Sequence, residues 1–112
     1  MTPASTCVLF VCSQNKLRSP TAERIFSGQD GMECLSAGLD SDASNPVTAD
    51  LLKWADVIFV MERRHLYKLS FKFGKLLTGK RVACLGIRDQ YELMDPELVR
   101  LLKLKVGQFF SN

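Results

Sequence analysis

Cys12 and Arg18, with five residues between them, lie in the stretch Val8-Leu-Phe-Val-Cys-Ser-Gln-Asn-Lys-Leu-Arg-Ser-Pro-Thr-Ala-Glu23, after a continuous apolar run and before a helix-like start. That spacing suits the binding of a phosphoryl group. Backbone N–H groups curled between a strand end and a helix N-terminus form a concave nest, and the helix dipole adds partial positive charge where an oxyanion would sit. The same field favours the thiolate of a cysteine placed at its base, so Cys12 is the candidate nucleophile. Arg18 offers a planar fork able to hold two phosphoryl oxygens together, which a lysine could not. The intervening Ser13, Gln14, Asn15, Lys16 and Leu17 are the candidate substrate-binding loop. The plain alternative is a buried cysteine at a strand end followed by a solvated arginine.

The elements needed to hold such a loop are present in the right order. Apolar runs at residues 7–11, 32–36, 57–61 and 82–85 read as strands, and helical patterns follow at 20–27, 48–54, 62–73 and 96–110. Ser19-Pro20-Thr21-Ala22-Glu23 reads as an N-cap, a proline at the first helical position and an acid in the first turn. Strands alternating with helices predict an α/β fold of three layers (αβα) around a four-stranded parallel sheet with the first strand central. Ligands of such sheets bind at strand carboxyl ends, where Cys12 falls.

With 112 residues, 46% of them hydrophobic, residues 1–112 are expected to form a single domain around one core. No apolar run approaches the roughly 18 residues of a membrane span, and residues 1–6 lack the pattern of a signal peptide, so a soluble cytoplasmic protein is the expectation. Cys7, Cys34 and Cys84 each fall in an apolar run and read as small buried hydrophobes, with neither a metal-ligand pattern nor a disulfide framework.

The chain resembles the low-molecular-weight protein tyrosine phosphatases, particularly their short bacterial branch. The resemblance rests on Cys12-Ser-Gln-Asn-Lys-Leu-Arg18-Ser19-Pro20, on Ser36-Ala37-Gly38, on Ala55-Asp-Val-Ile-Phe-Val-Met61 followed by His65 and Leu69, on Asp89-Gln90-Tyr91, and on Met94 to Leu98. It implies strand order 2-1-3-4 and a metal-independent, cofactor-free phosphomonoester hydrolase that works through a cysteinyl-phosphate. The implied substrate is a phosphotyrosyl protein or a small aryl phosphate. Asn15 matches the loop asparagine that accepts a left-handed backbone, Ser19 the hydroxyl that donates to the nucleophile's sulfur, and Tyr91 the aromatic wall for a substrate ring. Ser19 thus carries two readings, helix cap and sulfur partner.

A departing alkoxide or phenolate needs a proton, and two carboxylates compete to supply it. Asp95 precedes Pro96 and a long periodic segment and so has work as a helix N-cap. Asp89 has no such structural role and aligns with the family's catalytic aspartate, so Asp89 is the expected general acid. The chain departs from the family pattern in a more polar loop (Ser13, Gln14, Lys16), in Leu17 where a second cysteine is usual, and in Asp40 and Asp42 where a rim aromatic is common.

Charge is uneven. Residues 1–50 carry three basic and six acidic side chains, residues 51–112 twelve and six. Residues 63–81 hold Arg63, Arg64, Lys68, Lys72, Lys75, Lys80 and Arg81 with no acid. A solvated helix face is the plain reading, and a docking surface for an acidic protein or nucleic acid the sharper one. His65, the one histidine, is expected to be partnered and structural. Neither a membrane nor a nucleic-acid partner is expected. Two other functions stay open: arsenate reduction, which needs two more relay cysteines, and a non-catalytic module for phosphate or nucleic acid, in which Asp89 would be idle.

Overall fold

Continuous burial from Val8 to Cys12 along the first strand sets up two cores at once, because successive side chains point to opposite faces of a sheet. The computed structural model describes residues 5–111. Its strands β1 (Thr6–Cys12), β2 (Met32–Gly38), β3 (Val57–Val60) and β4 (Arg81–Cys84) form one parallel sheet in the order β2-β1-β3-β4. Val8, Phe10 and Cys12 face one core with Phe59, Phe26, Leu98, Leu102 and Val106. Leu9 and Val11 face the other with Ile58, Val60, Leu52 and Leu69. The first core includes helices α1 (Arg18–Phe26) and α4 (Pro96–Phe110), the second α2 (Ala49–Trp54) and α3 (Arg63–Phe73). Phe10 anchors the sheet centre, stacked on Phe26 at 5.7 Å and on Phe59 at 5.5 Å between centroids. Full burial of such a side chain stabilises the fold by about 1.5–3 kcal/mol.

Register fixes what meets at the carboxyl edge. Cys12 pairs with Gly38, Val11 with Val60, and Val60 with Cys84. The end of β1 therefore lies between the ends of β2 and β3, and the loops after all three converge on one spot.

Expected and observed elements agree in number, type and order, and differ at their ends. The first helix begins at Arg18 with Leu17 as its N-cap residue, so Ser19 and Pro20 lie within its first turn and Ser19 does not cap it. Proline is tolerated there because first-turn N–H groups have no intrahelical partner. No acid occupies that turn. Helix α3 stops at Phe73 and continues as a 3-10 turn over Gly74–Leu77. Cys34 is buried as expected, but Cys84 is exposed and Cys7 half-buried. Cys84 ends β4, an edge strand covered less completely than the central pair. No helix among the described residues is long and apolar enough to cross a membrane.

Candidate active site

The loop from Ser13 to Leu17 joins the end of β1 to the start of α1, and its backbone is pinned from outside. Leu39 N–H donates to Cys12 O at 2.9 Å, Asp40 N–H to Ser13 O at 2.9 Å and Ser44 N–H to Gln14 O at 3.0 Å. A trans peptide holds its C=O and the next N–H in opposite directions, so tying these carbonyls toward the segment after β2 turns the N–H groups of Ser13, Gln14 and Asn15 the other way. Asn15 sits at φ 55°, a left-handed conformation that asparagine adopts more readily than most residues, and its N–H reaches Cys12 Sγ at 3.3 Å. Gly38 makes the close approach possible. A Cβ there would lie 2.6 Å from Ser13 O and 2.5 Å from Ala43 Cβ.

Cys12 is buried, and its sulfur lies 3.0 Å from Ser19 Oγ, which in turn lies 2.9 Å from Asn15 Oδ1. One hydroxyl has one proton. When Cys12 is a thiol, its S–H donates to Ser19 and Ser19 donates to Asn15; when Cys12 is a thiolate, Ser19 turns its proton to the sulfur. Ser19 is thus placed as sulfur partner.

Arg18 is only 2% exposed, held at one corner: its Nη1 donates to Glu62 Oε1 at 2.5 Å and to Ile87 O at 2.9 Å. The Nε edge lies 3.9 Å from Asp89 Oδ1. Fixing Nη1 leaves the Nε–Nη2 edge as the one able to fork onto two oxygens of a phosphoryl group. Burial raises the Glu62 carboxyl, but hydrogen bonds from Arg64 and Arg18 outweigh it and hold the group below its ordinary range.

Glu62 and His65 form a reciprocal cap at the start of α3, with Glu62 N–H donating to His65 Nδ1 at 3.0 Å. An Nδ1 that accepts must be unprotonated. The proton of the neutral ring is therefore on Nε2, which donates to Ser13 Oγ at 2.9 Å. Burial, with Arg18 and Arg64 nearby, pushes the imidazole down to about 4, so it is neutral at pH 7. One helix start thus grips both ends of the loop, Ser13 through His65 and Arg18 through Glu62. His65 is structural and partnered, as expected, whereas no sequence motif marks Glu62. Its only sequence signal is its place just beyond the third strand, which the strand order sets beside the first.

Cys12, Ser13, Gln14, Lys16, Leu17, Arg18 and Asp89 line a small pocket, while Asn15 and Ser19 brace it. Asp89 is well exposed, at 58% of its side chain. The rim is tied down by Asp40, which accepts from Gln14 Nε2 at 2.5 Å and from Lys68 Nζ at 3.0 Å, the lysine holding its carboxyl below the usual range. One expected residue stands apart, and Asp95 has its expected place as a helix cap. Tyr91 is half-buried against the first core and lies outside the pocket lining, its hydroxyl accepting from Gln90 Nε2 at 3.2 Å. Asp95 caps α4, accepting from Glu97 N–H at 2.9 Å. No cluster of three or more potential metal ligands occurs among the described residues.

A nest of N–H groups, a sulfur at its base, a buried guanidinium and a carboxylate at the mouth can together bind a phosphoryl group, attack it and move a proton. The fold around them is that of the low-molecular-weight protein tyrosine phosphatases. The tyrosine phosphatase AmsI of Erwinia amylovora superposes with a TM-score of 0.75 at 20% identity, covering 96% of this chain and 92% of that one. The low-molecular-weight protein tyrosine phosphatase of Streptococcus pyogenes gives 0.74 at 18%, covering 95% and 91%. The YwlE arginine phosphatase of Geobacillus stearothermophilus gives 0.70 at 20%, covering 96% and 97%. No family model and no curated protein sequence matches the chain.

Proposed function

We propose that the chain is a cysteine-dependent phosphomonoester hydrolase acting on phosphoproteins, phosphotyrosyl proteins above all. The observation that carries this reading is the convergence of Cys12, Arg18 and Asp89 on one small pocket. Cys12 thiolate attacks phosphorus, forming an S–P bond as the P–O bond to the leaving group breaks, and Asp89 delivers a proton to the departing oxygen. Loop N–H groups and the free edge of Arg18 hold the equatorial oxygens as charge moves onto them. Water then attacks the cysteinyl-phosphate, Asp89 takes its proton, and the sulfur departs as a thiolate that Ser19 can meet with its hydroxyl proton. No step requires a metal or cofactor. A reducing cytoplasm suits this chemistry, since Leu17 beside Arg18 offers no thiol to trap an oxidised Cys12.

A second substrate class is favoured by the pocket itself. No aromatic ring is among its lining residues, and the carboxylates of Asp89 and Asp40 stand at its mouth and rim, where the guanidinium part of a phosphoarginyl side chain would fit. Arginine phosphatases are among the solved structures with this fold. The remaining alternatives are less well supported. Cys34 pairs with Val8, four residues back from Cys12 or roughly 13 Å along the sheet, and burial with Glu23 nearby pushes its thiol up to about 11. Cys84 is on the second strand from β1, roughly 10 Å across the sheet. Neither is within the ~4.4–6.8 Å between Cα atoms that a relay disulfide with Cys12 needs. A pure anion-binding module would gain nothing from a carboxylate 3.9 Å from its arginine.

The test is turnover of para-nitrophenyl phosphate, a phosphotyrosyl peptide and a phosphoarginyl peptide by the wild type and by Cys12→Ser. The wild type should hydrolyse the first two, and the variant should lose at least ~10³-fold in kcat. Preference for the phosphoarginyl peptide would move the substrate assignment. Turnover by Cys12→Ser within tenfold of wild type would end the covalent mechanism.

A further inference from the structure

Helix α3 starts at the active site, where Glu62 and His65 hold the loop, and runs away from it for 11 residues, about 16 Å. Its outer face is unusual in two ways. Tyr67 is 65% exposed and Phe71 92%, although aromatic side chains of this size are ordinarily at least half covered. Cations border them on both sides, and from Arg63 to Arg88 the chain contains no acid. Arg63, Tyr67, Phe71 and Lys75 recur every four residues, and Arg64, Lys68 and Lys72 form the adjoining row.

The two rows are employed differently. Arg64 bonds Glu62, Lys68 bonds Asp40 and Lys72 bonds the Leu39 carbonyl, so the inner row ties α3 to the catalytic loops. Arg63 and Lys75 make no ion pair or hydrogen bond among the described residues. They bracket the two exposed rings, and a groove of about 410 Å³ lined by Phe71, Lys72, Gly74, Lys75 and Leu76 ends the strip.

We propose that the strip Arg63–Tyr67–Phe71–Lys75 is a docking surface for an acidic segment of the phosphoprotein substrate. The proposal rests on the phosphatase reading and deepens it. Charge complementarity selects an acidic occupant, because every formal charge on the strip is positive. Continuity with the pocket selects the substrate chain itself: the helix leads from the site along a path of roughly 18 Å to Lys75, which an extended peptide covers in five or six residues. The rings supply apolar contact and the cations long-range attraction, so docking raises the encounter rate and lowers KM without touching the chemical step. Glutamates or aspartates two to six positions from the phosphorylated residue would lie along the strip.

The test uses two fluorescein-labelled phosphotyrosyl peptides, one with six glutamates following the phosphorylated residue and one with six glutamines. Enzymes are the wild type, Arg63→Ala/Lys75→Ala and Tyr67→Ala/Phe71→Ala, none of these positions lying in the pocket. For the wild type at low salt the glutamate peptide should show a KM at least tenfold below the glutamine peptide, the gap closing at high salt. In Arg63→Ala/Lys75→Ala the gap should shrink to threefold or less, and in Tyr67→Ala/Phe71→Ala the KM for both peptides should rise at least threefold, while para-nitrophenyl phosphate turnover of either variant stays at the wild-type value. Binding of the unphosphorylated glutamate peptide, read by anisotropy, should follow the same order without any catalysis. Absent turnover of every phosphate ester with this binding order intact would strike the phosphatase reading and leave the docking surface standing. Equal affinities for the two peptides, or tighter binding of a single-stranded oligonucleotide or of phosphatidylserine vesicles than of the glutamate peptide, would overturn the proposal.

Discussion

Ser19 has one proton and two acceptors within reach, Cys12 Sγ and Asn15 Oδ1, and this sets how the Cys12 sulfur is held. The side chains around it divide the work, with Asn15 shaping the loop, Glu62 fixing one corner of Arg18, and Asp89 standing at the mouth. The proton donor can be identified from its leaving-group dependence. Asp89→Asn should slow phenyl phosphate by ~10² or more and para-nitrophenyl phosphate far less, because nitrophenolate leaves without a proton. Asp95→Asn should leave both rates alone, since asparagine is also a good N-cap and stability should hold within about 1 kcal/mol. Measuring kcat for both esters in both variants decides it; a leaving-group-dependent loss in Asp95→Asn alone would move the acid to the helix cap. Arg18→Lys keeps the charge and loses the fork, so kcat should fall by at least ~10² if the guanidinium edge holds the transferring group.

Among the elements, the end of β2 is as much a part of the site as the loop it presses on. Gly38 pairs with Cys12, and an added Cβ would meet Ser13 O at 2.6 Å and Asn15 N at 3.0 Å. Gly38→Ala should therefore displace the nest, lowering kcat/KM at least tenfold and stability by about 1–3 kcal/mol, the range for overpacking. Gly107, inside α4, is its control, for nothing lies within 4 Å of a Cβ built there. Gly107→Ala should raise stability by roughly 0.5–1 kcal/mol through helix propensity and leave kcat unchanged. Urea melts and turnover of the two variants separate a local clash at the loop from any general intolerance of added methyl groups.

For the whole molecule, the buried imidazole couples folding to pH. His65 ionises near 4 when folded and near the ordinary 6.5 when unfolded. Between those values the unfolded chain binds a proton that the native chain refuses. Its contribution to stability is thus fully present above about 6.5 and is lost as pH falls toward 4, at up to ~1.4 kcal/mol per pH unit. Urea midpoints should fall between pH 7 and pH 5 for the wild type and much less for His65→Gln. Asp40 and Glu62, held below their ordinary ranges, lose their contributions only under more acid conditions, so the histidine accounts for the upper part of the curve. As the chain has one histidine, its ring resonances report the titration directly; a midpoint near 6.5 in the folded protein would refute the coupling.

Much of this was decided by the sequence alone, wherever cause and effect are neighbours along the chain. The apolar run before Cys12, the five-residue spacing to Arg18, the left-handed asparagine and the Asp95-Pro96 cap each act within a few residues, and each has the predicted form. Periodicity likewise determined the alternation of strands and helices. The tertiary structure decided what depends on which ends meet. Ser19 could have capped a helix or served the sulfur, and the choice fell to the packing of Asn15 and Cys12 against it. Glu62 and His65 became the grips of the loop only because β3 lies beside β1, more than forty residues away in sequence. Cys84 is exposed because its strand is at the edge, and Tyr91 turned to the core rather than the pocket. An apolar run specifies that a strand forms; its neighbours, and so the surroundings of each side chain, follow from strand order and register, which are set by the packing of the whole sheet.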